Sequence, residues 1–169
     1  MPEYRQAQTA EDLSEVRALF WEYLQWANGR VNEEFGVNFD IATMLEDDMR
    51  GLDIYFPPDG RLLLISEEGR SAGLACLKKL REGEGEVKRM YVRAEFRGRG
   101  LGRGVLEALL SEARTIGYSI VRLDSARFMK AAHSLYRSAG FQEIEPYVES
   151  EIPPEFREHW IFMEKTLVQ

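Results

Sequence analysis

A basic, glycine-dense turn set between a strand pattern and a helix pattern constrains this chain more than any other stretch. Residues 86–92, Glu-Val-Lys-Arg-Met-Tyr-Val, have the length and apolar content of a strand. Arg97 to Gly104 then alternates arginine with glycine around Leu101, and Leu101, Val105, Ala108, Leu109, Ala113 and Ile116 recur at steps of three and four until Gly117 offers a stop. Glycines let successive backbone N–H groups approach one ligand, a helix N-terminus adds about half a positive charge, and Arg97, Arg99 and Arg103 add full ones. The turn is an anion cradle in outline, and a phosphate-bearing cofactor is its natural occupant.

Spacing narrows the choice of cofactor. A P-loop needs GxxxxGK[ST], and no Lys-Ser or Lys-Thr pair follows these glycines; Lys165-Thr166 lies far downstream. A dinucleotide fingerprint needs GxGxxG, but the closing position is Arg103 in one frame and Val105 in the other. Asp124 lies about 20 residues on, where a ribose-binding acid would stand, so a dinucleotide-binding oxidoreductase remains an alternative.

The turn does match [RQ]xxGxG, written Arg97-Gly98-Arg99-Gly100-Leu101-Gly102, and here the sequence resembles the GNAT superfamily of N-acetyltransferases. The likeness extends through Lys88 to Val92 upstream and through Ala131 to Phe141 downstream, so it spans residues 60–145 in order. It implies an α+β fold whose mixed, mostly antiparallel central sheet contains a splayed parallel strand pair flanked by helices. It implies acetyl-CoA as cosubstrate, with the pyrophosphate on Arg97, Gly98, Arg99, Gly100, Leu101, Gly102 and Arg103, and with Met90, Tyr91 and Val92 along the rest of the cofactor. The Met90 N–H would polarise the thioester carbonyl. Tyr136 matches the tyrosine that protonates the leaving thiolate, and Glu86 stands where many members carry a general base; substrate binding or plain exposure are the other readings of that glutamate. Met129 replaces an asparagine that often helps hold the cofactor, leaving Lys130 or Arg137 to contact phosphate. The resemblance also allows a homodimer.

The first reading is therefore N-acetyl transfer by direct attack of a small-molecule or peptide amine in a ternary complex. A catalytically inactive acetyl-CoA sensor is the alternative from another class. His133, read as a helix-surface residue, and His159 lack paired spacing to a carboxylate, so no metal site is expected.

With 169 residues the expectation is one domain over residues 1–169. No run of about 18 apolar residues and no charged-then-apolar leader occurs, and a single cysteine, Cys76, suits a reducing compartment; cytoplasm follows as the default, with no membrane partner. Cys76 lies in an apolar run and is expected to be buried. A net charge of -7 argues against nucleic acid. Residues 1–60 hold 4 Arg and Lys against 13 Asp and Glu. That surplus is either a solvated surface or a field favouring a cationic amine.

Elsewhere, Tyr4 to Ala7 reads as a strand, Thr9 with Asp12 as a capping box, and Leu13 to Ala27 as an amphipathic helix that stops at Asn28-Gly29. Trp21 and Trp26 fall off its stripe and either pack on the next helix or line an acceptor pocket. Asn32 to Asn38 reads as loop and Phe39 to Met49 as a second helix capped by Asp40. Arg61 to Ser66 and Gly73 to Leu80 form a hairpin pattern, Tyr118 to Asp124 a strand parallel to 86–92, Phe128 to Ala139 a helix, and Phe141 to Tyr147 and Trp160 to Thr166 two late strands.

Overall fold

The computed structural model describes residues 1–168. Strand β1 (Glu3–Gln6) leads into helix α1 (Ala10–Phe35), whose start follows the sequence pattern: Thr9 Oγ1 accepts from the Asp12 N–H at 3.0 Å, and the Asp12 carboxylate accepts from the Thr9 N–H at 3.1 Å. Arg5 forks onto the same carboxylate at 2.7 and 2.9 Å, and these bonds hold the buried Asp12 well below the usual carboxylate range.

Helix α1 does not stop at Asn28-Gly29. It continues to Phe35 and ends at Gly36, in the left-handed conformation at φ 68°. An interior glycine costs about 1 kcal/mol relative to alanine. Burial of a side chain such as Val31, which is 4% exposed, returns roughly 1.5–3 kcal/mol. Phe35 adds a ring stacked on His159 at 4.3 Å. Asn28, rather than ending the helix, ties down the chain that returns past it: its Oδ1 accepts from the Phe39 N–H and its Nδ2 donates to Asn38 Oδ1, both at 2.8 Å. Helix α2 (Ile41–Arg50) then starts with Asp40 accepting from the Thr43 N–H at 3.1 Å.

Strands β2 (Arg61–Glu67) and β3 (Arg70–Arg81) form the expected hairpin, and β4 (Glu84–Val92) folds back against β3. Helix α3 (Leu101–Ile116), strand β5 (Ile120–Ala126), helix α4 (Lys130–Ser138), the short strand β6 (Gln142–Ile144) and strand β7 (Trp160–Thr166) complete the order. The link between β6 and β7 carries a 3-10 turn over Pro154–His159.

The seven strands lie in the order β1-β2-β3-β4-β5-β7-β6, all neighbours antiparallel except β4 and β5. This is the mixed, mostly antiparallel sheet that the resemblance implies. Alternation along β2 sorts the core. Leu62 and Leu64 face the layer of α1 and α2 with Val16, Leu19, Phe20 and Leu74, whereas Leu63 and Ile65 face α3 with Val105, Leu106 and Leu109. Cys76 is buried in the first layer, and burial pushes its thiol far up, so it packs as a small apolar group. A third cluster joins Val31 of α1 to Ala126, Ile152, Trp160 and Phe162, and it is what draws α1 past Gly29.

Gly29 is exposed, lies inside the helix, and has open space where a Cβ would go. Gly29→Ala is therefore expected to stabilise the fold by about 0.5–1 kcal/mol, raising the thermal midpoint by about 1–4 °C. A lower midpoint in a melting experiment would show that the helix is not continuous there.

Candidate active site

Strands β4 and β5 pair in parallel over three positions only, Glu84 with Ile120, Gly85 with Val121 and Glu86 with Arg122. Beyond them the strands part. β4 stays on β3 as far as Val92 and β5 stays on β7 as far as Ala126, so a wedge opens in the middle of the sheet. A cleft of about 610 Å³ occupies it, lined by Val87 to Val92 on one side and by Leu123 to Ala126 on the other. Within β4 one extra residue is inserted between the pairs Cys76–Lys88 and Leu74–Tyr91, and Arg89 takes a left-handed φ of 52° there.

The bulge is held by ion pairs. Arg89, 5% exposed at its side chain, forks onto Asp48 of α2 at 2.8 and 3.1 Å and onto Glu151 of the β6–β7 link at 2.7 and 3.3 Å. Lys88 meets the same Glu151 at 2.6 Å. Burial alone would raise the Glu151 carboxyl, but Arg89 and Lys88 hold it well below its ordinary range. Asp124 lines the cleft from β5 and accepts a 3.0 Å bond from Ser150 Oγ; burial pushes its carboxyl up, against the pull of Lys88. This residue, a ribose ligand under the dinucleotide alternative, thus faces the wedge between the central strands.

The cleft lining reaches the glycine turn at Arg97, its first residue, and includes none of Gly98 to Gly104. Gly98 and Gly100 both have φ 80°, a conformation that disfavours any side chain, and a Cβ at either would meet only open space. Gly100 caps α3 without a side-chain hydrogen bond, so the first N–H groups of the helix, from Leu101 on, have neither an intrahelical acceptor nor a capping side chain. That geometry fits a phosphate. The other two glycines answer to packing. Gly102 lies 3.4 Å from Leu135 at its Cβ position, and a Cβ at Gly104 would run into the Tyr4 ring.

The arginines of the turn are differently placed. Arg97 donates to the Val92 carbonyl at 2.9 Å and lies over Trp26, 5.2 Å from its centroid. Arg99 lies over Phe96 at 5.3 Å, and Arg103 donates to Ser138 Oγ at 2.7 Å. Met90, Tyr91, Val92, Arg97, Lys130 and Tyr136 all line the cleft. Tyr136 is 7% exposed, and burial raises its phenol well above the ordinary value.

Glu86 has a different setting. It is 1% exposed, lies off the cleft lining, and accepts a 2.6 Å bond from Tyr147 Oη with Lys78 at 3.9 Å. Burial pushes its carboxyl up, with Lys88 and the Tyr147 bond opposing. His133, read from the sequence as a surface histidine, is buried instead, with Nε2 3.1 Å from Ser125 Oγ; burial lowers its pKa. Met129 ends the preceding turn with its sulfur 3.5 Å from the same hydroxyl. Among the described residues there is no cluster of three or more His, Cys, Asp or Glu arranged to hold a metal, and no helix long and apolar enough to cross a membrane.

Sequence reasoning missed the aromatic wall. Tyr23, Tyr91, Trp26, Phe128, Phe35, Trp160 and Phe39 form a chain of rings in which successive centroids are 6.1 to 6.5 Å apart. All but Phe35 line the cleft. Trp26 thus takes the pocket position considered for it, whereas Trp21 lies in a shallow groove between α1 and α2 with Arg17 and Leu45. The ion pairs were missed as well, although Lys88-Arg89 left a signal: two adjacent charges in the middle of a strand pattern need partners from elsewhere.

Comparison with known proteins agrees with this fold. The sequence profile of the acetyltransferase (GNAT) family matches residues 13–141. An uncharacterized N-acetyltransferase of Schizosaccharomyces pombe is 32% identical over 146 residues, covering 85% of this chain and 84% of that protein. The IAA acetyltransferase of Azospirillum brasilense is 36% identical over 91 residues, 53% of this chain and 60% of that one. N-acetylaspartate synthetase of Danio rerio is 30% identical over 104 residues, 59% of this chain but 36% of that one. The PaiA N-acetyltransferase of Thermoplasma acidophilum, solved with coenzyme A, shares the fold with a TM-score of 0.74 at 18% identity, covering 99% of each chain. YncA of Salmonella typhimurium, solved with acetyl-CoA, superposes with a TM-score of 0.63 at 21% identity over 99% of this chain and 95% of that one. The chain belongs to the acetyltransferase (GNAT) family.

Proposed function

We propose that the 169 residues form one acetyl-CoA-dependent N-acetyltransferase domain that works in the cytoplasm on a small-molecule or peptide amine, by direct attack in a ternary complex. The observation that carries this reading is the wedge between β4 and β5, whose lining reaches Arg97 at the head of the uncapped glycine turn that starts α3. One end offers N–H groups to a pyrophosphate and the other offers an aromatic-lined slot for the reacting centre. The complexes of PaiA with coenzyme A and of YncA with acetyl-CoA support it by analogy of fold.

Acetyl-CoA supplies an activated acyl group as a thioester; the protein supplies orientation and proton management. Residues 97–103 hold the anionic end, with Lys130 at the exposed start of α4 beside it. The backbone of Met90, Tyr91 and Val92 lies along the slot, and the Met90 N–H is the proposed donor to the thioester carbonyl, a contact worth about 3–4 kcal/mol of barrier. Tyr136 is the proposed acid for the departing thiolate. A buried phenol with a raised pKa is fully protonated near pH 7 and has its proton to give.

An attacking amine must first lose the proton of its ammonium form. Glu86 is the proposed acceptor, because a carboxyl raised by burial binds a proton more readily than a surface one. Since it lies off the cleft lining, the proposed path for the proton runs through water.

Three outcomes are expected. Tyr136→Phe should lower kcat by about 100-fold or more in a thiol-release assay while acetyl-CoA still raises the melting temperature as in the parent; a variant with normal turnover would remove the acid role. Gly100→Val places a β-branched residue at φ 80°, so the stabilisation of about 2.7 kcal/mol expected with acetyl-CoA at 100 times its Kd should vanish. Glu86→Gln should show its largest deficit near neutral pH. The gap should narrow as pH climbs toward the amine pKa near 10, because free amine then forms without help. A deficit constant across pH would assign Glu86 to scaffolding.

A further inference from the structure

Glu86 and Arg122 are the last pair before β4 and β5 separate, and the residues two steps on, Lys88 and Asp124, stand on opposite sides of the opening. A strand rises about 3.3 Å per residue, so Asp124 lies about 7 Å into the wedge, across from the stretch of β4 that ends in Met90, Tyr91 and Val92. It is half-buried and lines the cleft. The two acids of the lining are not equivalent. Glu151 is taken up by Arg89 at 2.7 and 3.3 Å and by Lys88 at 2.6 Å, and these cations hold it well below its ordinary range. Asp124 makes no ion pair among the described residues; its hydrogen bond comes from a neutral hydroxyl, Ser150 Oγ at 3.0 Å, and burial pushes its carboxyl up. A carboxylate held low is a poor proton acceptor, and a raised one is better. Tyr136 lines the same space, and the charge of Asp124 acts on its phenol.

Acetylation of an ammonium removes two protons from one nitrogen. The first leaves before attack, and Glu86 is its proposed acceptor through water. The second leaves after attack, from the positively charged nitrogen of the tetrahedral intermediate. We propose that Asp124 is a catalytic residue that accepts this second proton from the cleft wall. This rests on the acetyl-transfer reading above and adds a group to it. While the nitrogen keeps that proton the amine can depart again; once neutral, it is a poorer leaving group than the thiolate and collapse runs forward. The N–H bond breaks as a carboxyl O–H bond forms. The C–S bond then breaks with its electron pair on sulfur, which takes the Tyr136 proton. Asp124 returns its proton to the Tyr136 phenolate, so both groups end as they began and the second proton leaves on the thiol of coenzyme A.

The test is thiol release at saturating acetyl-CoA, with 2-phenylethylamine, spermidine, glutamate and an alanine-terminated peptide offered in turn and the best acceptor used for the variants. Asp124→Asn keeps an acceptor for Ser150 and should lower kcat by about 100-fold or more, with KM and the acetyl-CoA thermal shift little changed. The deficit of Glu86→Gln should close toward the amine pKa near 10, but that of Asp124→Asn should persist, because the second proton exists only after attack. Ser150→Ala decides the matter should Asp124→Asn fail to fold. It keeps the carboxylate and removes the bond that lowers it, so the pH at which kcat falls on the acid side should move up. The other groups acting on Asp124 or acted on by it, Lys88, Arg89 and Glu86 from β4, Glu151 from the link, Tyr23 from α1 and Tyr136 from α4, are unchanged in that variant. An unmoved acid limb, a normal kcat in Asp124→Asn, a loss confined to KM, or a deficit that closes at high pH would overturn the role of Asp124 and leave acetyl transfer standing. No release from any acceptor by the unmodified protein, with or without a thermal shift, would overturn the acetyl-transfer reading and this role with it.

Discussion

The parting of β4 from β5 after the Glu86–Arg122 pair is the constraint on which the rest of this structure depends. Two central strands that separate leave ladder groups without partners in the interior, where each lost hydrogen bond costs about 1–3 kcal/mol. Such an opening persists only if something else fixes the strands. On the β5 side it is β7, paired at every position from Ile120 to Ala126. On the β4 side it is β3 together with the bulge at Arg89, where an added residue bends the strand away.

A left-handed arginine at that bulge carries a backbone cost of about 1 kcal/mol or more, so its side chain must be held by its surroundings. Asp48 and Glu151 do this from two directions, one from α2 and the other from the β6–β7 link. A buried ion pair is a poor source of net stability, because desolvation offsets most of the Coulombic attraction, but removing one partner from it is costly. Its effect here is geometric. It fixes the distance between the helical layer, the bulge and the link that closes the cleft. Tyr147 on Glu86, Glu149 on Arg81 and Ser150 on Asp124 attach the same link to β4, β3 and β5 at three further points.

The parts of this arrangement that are local in sequence were legible in it. The glycine turn, the strand before it, the helix after it, the hairpin, the Thr9–Asp12 capping box and the Asp40 cap all follow from residues within a few positions of one another. The extension of α1 was not, since Asn28-Gly29 is a sound local stop and only the burial of Val31 with Trp160 and Phe162, over a hundred residues away, overrides it. The aromatic wall drew on five separate segments, and although Trp26 and Tyr91 were each considered for the site, nothing local brought the rings together. His133 looked exposed because the polar Ser125 that receives it comes from β5, and helical periodicity alone cannot announce a buried hydrogen-bond partner on a neighbouring strand.

The acid surplus of the first 60 residues has a similar explanation, and it bears on how the site acquires its charge. Asp12 and Asp40 cap helices, Glu15 and Glu22 hold Arg93, Glu46 pairs with Arg17, and Asp48 is taken up by Arg89. These carboxylates are engaged in structure, and paired charges project little field into a cleft at physiological salt, where the screening length is about 8 Å. The two acids that line the cleft, Asp124 and Glu151, come instead from the part of the chain whose net balance is slightly basic. Regional net charge thus misplaced the source. Within the cleft those two acids lie among five cations, Arg30, Lys88, Arg89, Arg97 and Lys130, so its electrostatics follow from local pairing and not from the acid count of the outer helices.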